Sequence, residues 1–333
     1  MNKIGLIDVD GHNYPNLPLM KISSYHKSIG DSVEWYNQLS GHMDKVYMSK
    51  VFSFTPDYKY KIDADIIEKG GTGYAIHLED GKEVYDKSKD KPLPYEIEHI
   101  YPDYSLYPEL TKDTAYGFLT RGCPRNCDFC HVAPKEGRCS SKVADLTEFW
   151  NGQKNIVLCD PNILACSEHI ELLQQLVDSK AWIDFNQGLD IRLINDRNIE
   201  LINQIKVKQI HFAFDKIQDK EIIESKLRFF REHSEYTHSK IGVYILTNFD
   251  TTLEQDLYRI NLCRELDYSP YVMIYNKEHC DSIYKDLQGW TNNRVVFWLI
   301  SDFEEYRNNK TEIKKGSKGR YWDSKDNTKR KLF

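Results

Sequence analysis

Apolar and polar stretches alternate along the chain and predict strands and helices in turn. From residue 115 onward, apolar runs rich in β-branched and aromatic residues are separated by stretches with helical spacing. The runs are AYGFLT, NIVLCD, WIDFNQ, QIHFAFD, IGVYILT and YVMIYN. Strands connected by helices favour a parallel sheet. The pattern therefore predicts an α/β fold in which six such units curve into a partial (β/α)6 TIM-like barrel.

Two of the connecting helices have distinct signatures. One predicted helix carries apolar residues at a spacing of three or four on one face: Ile170, Leu173, Leu176 and Val177. In another, Thr251 and Glu254 fit a capping box that opens the helix before Leu257. Both helices follow predicted strands, as the alternating pattern requires.

The first 80 residues indicate a separate, smaller domain. A strand, KIGLIDVD, is followed by a turn rich in Pro and Asn, and then by an amphipathic stretch with Leu19, Ile22 and Tyr25 at helical spacing. Two further strands, SVEWY and KVYMSKVFSF, and the glycines Gly70, Gly71 and Gly73 continue the alternation. We expect a small open α/β, Rossmann-like domain at 1–80.

The remaining boundaries follow from composition. Residues 81–114 are dense in charge and contain prolines that exclude regular helix or central strand, at positions 92, 94, 102 and 108. This segment is predicted to be a connector, with the partial barrel at 115–306 and a basic tail at 307–333. The tail carries ten Lys/Arg against three Asp/Glu, within a chain of net charge -6. It is either a solvated terminus or a contact for a polyanion or an acidic partner.

Bulk composition is that of a globular chain. Of the 333 residues, 40% are hydrophobic and 13% aromatic, which is enough for a buried core. No run of 18 apolar residues occurs, and charges interrupt the amino terminus where a signal peptide would be apolar. We expect a cytoplasmic protein with no membrane partner.

Cysteine spacing is the strongest chemical signal in the chain. The segment RGCPRNCDFCH places Cys123, Cys127 and Cys130 at a C-x3-C-x2-C spacing, directly after the first strand of the predicted barrel. A cubane cluster normally takes four thiolates, so three thiolates leave one iron open to a ligand from outside the protein. Two alternatives remain: a zinc site completed by His131, and a closed cluster with Cys139 as fourth ligand.

The cysteine loop resembles the signature of the radical S-adenosylmethionine (radical SAM) superfamily, including the aromatic residue before the third cysteine, here Phe129. In that family the open iron of a [4Fe-4S] cluster is chelated by the amino and carboxylate groups of S-adenosylmethionine. The reduced cluster cleaves the sulfonium to a 5'-deoxyadenosyl radical. The resemblance implies the same cofactors here, Phe129 near the adenine, and an electron donor of the flavodoxin or ferredoxin type.

Polar residues follow the later strands and are candidates for further cofactor contacts. We expect Asp160 and Asn162 after the second strand to bind the methionyl ammonium, and Arg192 to pair with the methionyl carboxylate. The other candidates are Gln187 and Asp190 after the third strand, Asp215 after the fourth, and Thr247 and Asn248 after the fifth. For each residue the alternative is a helix cap, a turn or a satisfied surface group.

The other five cysteines are scattered and do not indicate a second cluster. We expect buried thiols at Cys139, Cys159, Cys166, Cys263 and Cys280.

The amino-terminal domain resembles the cobalamin-binding-type domain of some radical SAM enzymes. Asp10 and His12 approach an Asp-x-His-x-x-Gly signature, but Pro15 stands where its glycine belongs. A degenerate domain that shapes the substrate pocket is favoured, and cobalamin remains possible. Residues 1–122 contain no cysteine, so the second cluster of methylthiotransferases cannot form there.

These observations predict an enzyme that abstracts hydrogen from, or methylates, an unactivated carbon of an unknown substrate. A nucleic-acid substrate is a variant of this hypothesis, because Tyr321 and Trp322 in the basic tail offer rings for base stacking. The alternative of another class is a non-catalytic nucleic-acid or protein adaptor, with a structural metal at the cysteine loop.

Overall fold

A computed structural model describes residues 1–11, 14–79 and 82–317. The chain divides into two compact units, Met1–Gln187 and a second that begins at Gly188. Among the described helices, none is both long enough and apolar enough to cross a membrane.

The first unit begins with a small parallel sheet. Its elements are β1 (Lys3–Asp8), α1 (Leu17–Ser28), β2 (Ser32–Trp35), β3 (Met43–Ser49) and β4 (Ala64–Gly70), and the strand order is β2-β1-β3-β4. Helix α1 begins where Asn16 accepts a hydrogen bond from the Leu19 N–H, and its apolar face packs on β1. The predicted first strand and amphipathic helix are therefore confirmed.

Two features of this segment differ from the prediction. Strand β3 ends at Ser49, so the apolar residues 51–54 do not extend it. Strand β4 was not predicted, because Ile66 and Ile67 are exposed and its residues show no buried face. An edge strand of this kind lacks the alternating pattern from which strands are recognised.

A second group of short elements follows the small sheet. They are α2 (Thr72–Ala75), the antiparallel hairpin of β5 (Ile76–Glu79) and β6 (Lys82–Tyr85), α3 (Tyr95–Glu98) and α4 (Pro108–Thr111). The predicted boundary between residues 80 and 81 falls between the two strands of the hairpin.

The rest of the first unit supplies the cysteine loop and the strands around it. Its elements are β7 (Thr114–Gly117), β8 (Thr120–Arg121), α5 (Val132–Glu136), β9 (Ser141–Lys142), β10 (Asn155–Leu158), α6 (His169–Ser179) and β11 (Trp182–Phe185). Strands β8 and β9 form a separate antiparallel pair at the two ends of the loop. Helix α6 buries Leu173, Leu176 and Val177, which confirms the face predicted for it.

The second unit continues the alternation of strands and helices. Its elements are α7 (Asp196–Gln204), β12 (Lys206–Ala213), α8 (Lys220–His233), β13 (Ile241–Thr247), α9 (Leu253–Glu265), β14 (Ser269–Ile274), α10 (Ser282–Thr291), α11 (Arg294–Leu299) and α12 (Phe303–Ser317). Of the predicted basic tail, residues 318–333 with Tyr321 and Trp322 lie outside the described residues.

The predicted apolar runs all form strands of one six-stranded sheet, whose order is β14-β13-β12-β11-β10-β7. Strand β10 pairs in parallel with β7 and β11, and β13 pairs in parallel with β12 and β14. Most strand residues are buried, as in parallel sheets whose strands are connected by helices. This confirms the α/β class and the succession of six strands from residue 114 onward.

The predicted cap of α9 is wrong by one residue. Thr252, not Thr251, is the N-cap, and its hydroxyl accepts a hydrogen bond from the Gln255 N–H at 3.3 Å. Thr251 instead donates from its hydroxyl to Asp256 at 2.6 Å, and Asp256 pairs with buried Arg259. Tertiary contacts therefore choose between two adjacent threonines that suit the capping pattern equally well.

Candidate functional site

The cysteine loop begins at a glycine that no other residue can replace without strain. Gly122 has φ +86°, and a Cβ atom there would lie 2.1 Å from the carbonyl oxygen of Cys139. The Gly122 N–H donates to Glu136 Oε2 at 3.2 Å, and the Arg121 guanidinium donates to Glu136 Oε1 at 2.9 Å. The entry to the loop is therefore packed against its exit.

Backbone hydrogen bonds fix the cysteines within this loop. The Cys123 N–H donates to the Gly137 carbonyl at 3.1 Å, and the Cys130 N–H donates to the Cys127 carbonyl at 3.0 Å. Asn126 has φ +47°, a left-handed conformation that asparagine tolerates better than most residues. All three cysteines are partly exposed residues.

The three cysteines of the loop are the donor set for an iron–sulfur cluster. Thiolates are the soft ligands that such clusters take, and three of them on one loop suit a cluster with one open iron. The described residues do not gather three or more His, Cys, Asp or Glu side chains into a metal-holding group. The three cysteines therefore fit an iron–sulfur cluster by the chemistry of their thiolates. Their side chains are not gathered into a metal-holding group in this structure.

Asp160 ties the strand end of β10 to the segment that leads into the loop. Its carboxylate accepts hydrogen bonds from the Leu119 N–H at 3.1 Å, the Thr120 N–H, and the Thr120 hydroxyl at 2.7 Å. Burial raises the pKa of this carboxyl to about 6. Asp160 follows β10, and its contacts position residues 119–120 of the segment that leads into the loop.

Asn162 touches a cysteine sulfur directly. Its side-chain Nδ2 donates to Cys123 Sγ at 3.5 Å, and its carbonyl accepts a hydrogen bond from the buried Ser140 hydroxyl at 2.8 Å. Asn162 is itself buried. The side chain predicted to lie at the mouth of the loop thus contacts the first cysteine, while Ser140 connects it to the loop exit.

Phe129 and Gln187 were predicted from the resemblance and from strand position. Phe129 is partly exposed within the loop, directly before Cys130. Gln187 is exposed and follows β11.

In the second unit, Asp190 and Arg192 hold a turn together. Asp190 caps the short helical turn Ile191–Leu193, and its carboxylate accepts a hydrogen bond from Arg192 Nε at 2.7 Å. A second carboxylate, Asp219, pairs with the Arg192 Nη1 at 2.5 Å. These pairs raise the pKa of the Arg192 guanidinium despite the opposing effect of burial. Arg192 therefore has two acidic partners.

Asp215, Thr247 and Asn248 make contacts between strand ends of the second unit. Asp215 accepts a hydrogen bond from the Leu246 N–H at 2.9 Å, and burial raises the pKa of its carboxyl to about 6. The Thr247 hydroxyl donates to the Met273 carbonyl at 3.2 Å. Asn248, at φ +60°, donates from its side chain to the Tyr275 carbonyl at 2.8 Å. Asp215 and Asn248 follow β12 and β13, and Thr247 is the last residue of β13.

The amino-terminal glycines serve backbone packing. A Cβ at Gly71 would lie 2.3 Å from the Lys50 carbonyl oxygen, and one at Gly73 would lie 2.7 Å from that of Phe52. Asp10 accepts hydrogen bonds from the Val51 N–H and from the Thr55 hydroxyl. His12, for which the sequence favours a turn position over a role as cobalt ligand, lies outside the described residues.

Gly122, Glu136 and Ser140 are site residues that the sequence reasoning missed. Gly122 had a signal, because a glycine directly before a ligand cysteine indicates a backbone that must approach another closely. Glu136 and Ser140 had none, since their contacts depend on the closed loop. Of the scattered cysteines, Cys166 and Cys263 are buried as predicted, whereas Cys139 is exposed and that prediction is wrong.

Neither a protein-family model nor a curated protein sequence matches this chain. What the chain does is therefore inferred from its own residues and their contacts.

Proposed function

We propose that this chain is a radical SAM enzyme whose [4Fe-4S] cluster is held by Cys123, Cys127 and Cys130. When bound, the cluster supplies the electron that cleaves S-adenosylmethionine to methionine and a 5'-deoxyadenosyl radical, which activates a C–H bond of the substrate. The observation that carries the proposal is one loop with three partly exposed cysteines and closed ends, which follows β8 a few residues after β7, the first strand of the six-stranded sheet.

The residues around the loop support this role by their contacts. Gly122 and Glu136 close the loop, Asp160 fixes the segment that enters it, and Asn162 donates to the Cys123 sulfur. Hydrogen bonds to cluster sulfurs tune reduction potential, and neighbouring groups of this kind orient the ligands. A loop that only linked two strands would not require a buried amide at a sulfur atom.

The finer architecture and the cofactor contacts belong to the same proposal. We infer a partial barrel from the parallel strand succession, with S-adenosylmethionine near the residues that follow the strands. Phe129, Asp160, Asn162, Gln187, Asp190, Arg192, Asp215 and Asn248 are the proposed contacts. For Arg192 to bind the methionyl carboxylate, its guanidinium must exchange the contact with Asp219. The proposed setting is cytoplasmic, with a flavodoxin-type or ferredoxin-type electron donor, and cobalamin is not favoured.

Anaerobic reconstitution tests the proposal. The full chain is supplied with iron and sulfide, then assayed for bound iron, for the absorption and electron paramagnetic resonance of a [4Fe-4S] cluster, and for 5'-deoxyadenosine after addition of dithionite and S-adenosylmethionine. We expect about four irons per chain, the count of a cubane cluster, and formation of 5'-deoxyadenosine. A known radical SAM enzyme serves as positive control.

Cysteine variants make the test specific. Replacement of Cys127 by Ala should abolish both the cluster and the product, whereas Cys280→Ala changes a cysteine far along the chain and should leave both intact. No 5'-deoxyadenosine from the wild type, while the positive control is active, would refute the proposal. One equivalent of zinc with no iron after anaerobic purification would instead favour the non-catalytic adaptor.

A further inference from the structure

A cavity of about 340 Å³ lies at the carboxyl ends of β1 and β2 in the first unit. Half of its lining residues are aromatic, namely Trp35, Tyr36, Tyr58 and Tyr107, and Asp8 contributes a carboxylate. Parallel sheets bind ligands beyond the carboxyl ends of their strands. The cavity therefore occupies a favourable place for a ligand, and the cysteine loop contributes none of its lining residues.

The aromatic rings of the cavity are held in place by packing. Trp35 and Tyr107 meet edge to face at 5.3 Å between ring centroids, and Tyr36 meets Tyr58 in the same way at 6.3 Å. The Tyr36 hydroxyl accepts a hydrogen bond from the Asp63 N–H at 2.8 Å. At Gly5 a Cβ would lie 3.1 Å from the Tyr36 Cβ, so glycine makes room for this ring. The two ring pairs thus form a preorganised wall.

Asp8 places an uncompensated negative charge in this aromatic setting. Its carboxylate accepts hydrogen bonds from the Tyr107 hydroxyl at 2.7 Å and from the Gly11 N–H at 3.3 Å. In the described part of the chain no basic side chain forms an ion pair with it. Burial, and to a smaller extent the neighbouring charge of Asp10, raise the pKa of Asp8. A cation bound at this carboxylate would stabilise its charged form and so offset both the burial and the repulsion from Asp10.

The lining selects the sign of the ligand charge. Among the described residues, those that line the cavity include no lysine, arginine or histidine, so a phosphate or carboxylate would meet the charge of Asp8 and electron-rich ring faces there. Tryptophan and tyrosine faces attract cations, and cages of such rings bind quaternary ammonium groups. The rings also offer apolar area to the substituents of an organic cation. A metal ion would gain little from this wall.

We propose that the aromatic cavity, defined by Asp8, Trp35, Tyr36, Tyr58 and Tyr107, binds a small organic cation of the alkylated ammonium class. The carboxylate of Asp8 pairs with the charge, and the rings enclose its alkyl groups. This binding function does not depend on the cysteine loop, so it goes beyond the proposed radical chemistry. It gives the amino-terminal sheet a ligand of its own.

Two probes of the same shape and different charge test the proposal. Choline chloride and its neutral isostere 3,3-dimethyl-1-butanol are titrated into the purified full-length chain, and binding is followed by saturation-transfer NMR on the methyl resonances. We expect choline to bind at least about tenfold more tightly than the isostere, since one desolvated cation–π and ion contact contributes at least about 1.4 kcal/mol. Absence of choline binding, or equal binding of both probes, would overturn the proposal.

Matched variants assign the binding to this cavity. Asp8→Asn keeps the shape and removes the charge, so choline affinity should fall about tenfold or more, whereas Asp65→Asn on exposed β4 should leave it unchanged. Trp35→Leu should weaken choline to a similar degree, with exposed Tyr95→Leu as its control. Far-UV circular dichroism identifies any variant that fails to fold. Full affinity in a folded Asp8→Asn or Trp35→Leu chain would contradict the assignment.

Discussion

The side-chain amide of Asn162 donates a hydrogen bond to the sulfur of Cys123 at 3.5 Å. The donor comes from the segment after β10 and the acceptor from the loop after β8, so 39 positions of chain separate them. An N–H donor stabilises a negative sulfur, and it stabilises the more negative, reduced state of a cluster most. This contact therefore links the fold of the sheet to the redox chemistry proposed for the loop.

Removal of this donor should lower the reduction potential of the reconstituted cluster. A hydrogen bond of about 0.5–1.4 kcal/mol corresponds to roughly 20–60 mV in a one-electron couple. We expect a downward shift of that size for Asn162→Leu, measured by redox titration followed by electron paramagnetic resonance. Asn155→Leu removes an amide from β10, the strand that precedes Asn162, and should not shift the reduction potential. An equal potential in wild type and Asn162→Leu would show that this hydrogen bond does not reach the cluster.

Gly122→Ala should prevent closure of the cysteine loop. The new Cβ would collide with the Cys139 carbonyl at 2.1 Å while the backbone stays at positive φ, a combined cost of about 2–4 kcal/mol. We expect a large loss of bound iron on reconstitution, measured by inductively coupled plasma mass spectrometry with folding checked by circular dichroism.

Gly137→Ala is the matched control for this prediction. Gly137 also has positive φ, at +98°, but no atom lies within 4 Å of its would-be Cβ. The substitution therefore carries only the backbone cost of this conformation, about 1–3 kcal/mol, and should retain more iron than Gly122→Ala. If both variants lose iron equally, backbone conformation matters and the contact with Cys139 does not.

Asp160→Asn should destabilise the segment that enters the loop. An amide can keep one oxygen at the Thr120 N–H and hydroxyl, but its NH2 group then replaces the second carboxylate oxygen, which accepts from the Leu119 N–H at 3.2 Å, and two donors face each other. We expect a loss of about 1–3 kcal/mol in the free energy of unfolding, measured by urea denaturation. Asp178→Asn, on the exposed side of α6, should change it by less than about 0.5 kcal/mol. A neutral Asp160→Asn would mean that these hydrogen bonds do not contribute.

The strands of the large sheet were predictable because they are buried. Helices cover them, so Ile156 and Val157 of β10 and Ile210 and Phe212 of β12 stand in short apolar runs that only strands explain. Strand β4 was not predictable from the sequence, since its isoleucines are exposed and none of its residues forms a buried face. Periodicity reports burial, and an edge strand with little burial leaves no periodic signal.

The residues around the cysteine loop were also predictable only where a local sequence pattern marks them. Cysteine spacing identifies the donor loop because the chemistry depends on residues that are close in sequence. The contact of Glu136 with Gly122, and that of Asn162 with Cys123, depend on how the loop closes and on where β10 lies. Such long-range pairs have no local pattern. Asp190 and Arg192 differ again, because their mutual pairing is local and supports the turn alternative that their sequence context left open.

His211 should make the stability of the second unit depend on pH. Its ring stacks on Tyr244 at 4.4 Å, and within the described residues its buried Nδ1 has no hydrogen-bond partner. Burial, followed by the positive charge of Arg294, lowers the pKa of His211 from 6.5 to about 4. The unfolded chain therefore takes up a proton between pH 6.5 and pH 4 while the folded chain does not, and stability falls as the pH falls through this window.

His211→Phe should flatten that dependence. Phenylalanine preserves an aromatic ring beside Tyr244 and cannot be protonated, so the variant should lose less stability than wild type on acidification. The difference between the two chains should change by roughly 2–3 kcal/mol between pH 7 and pH 4, measured by urea denaturation across the range. As the pH falls, the free energy of unfolding of the variant rises relative to that of wild type. Parallel pH profiles would mean that His211 titrates alike in the folded and unfolded chains and that its burial has no electrostatic cost.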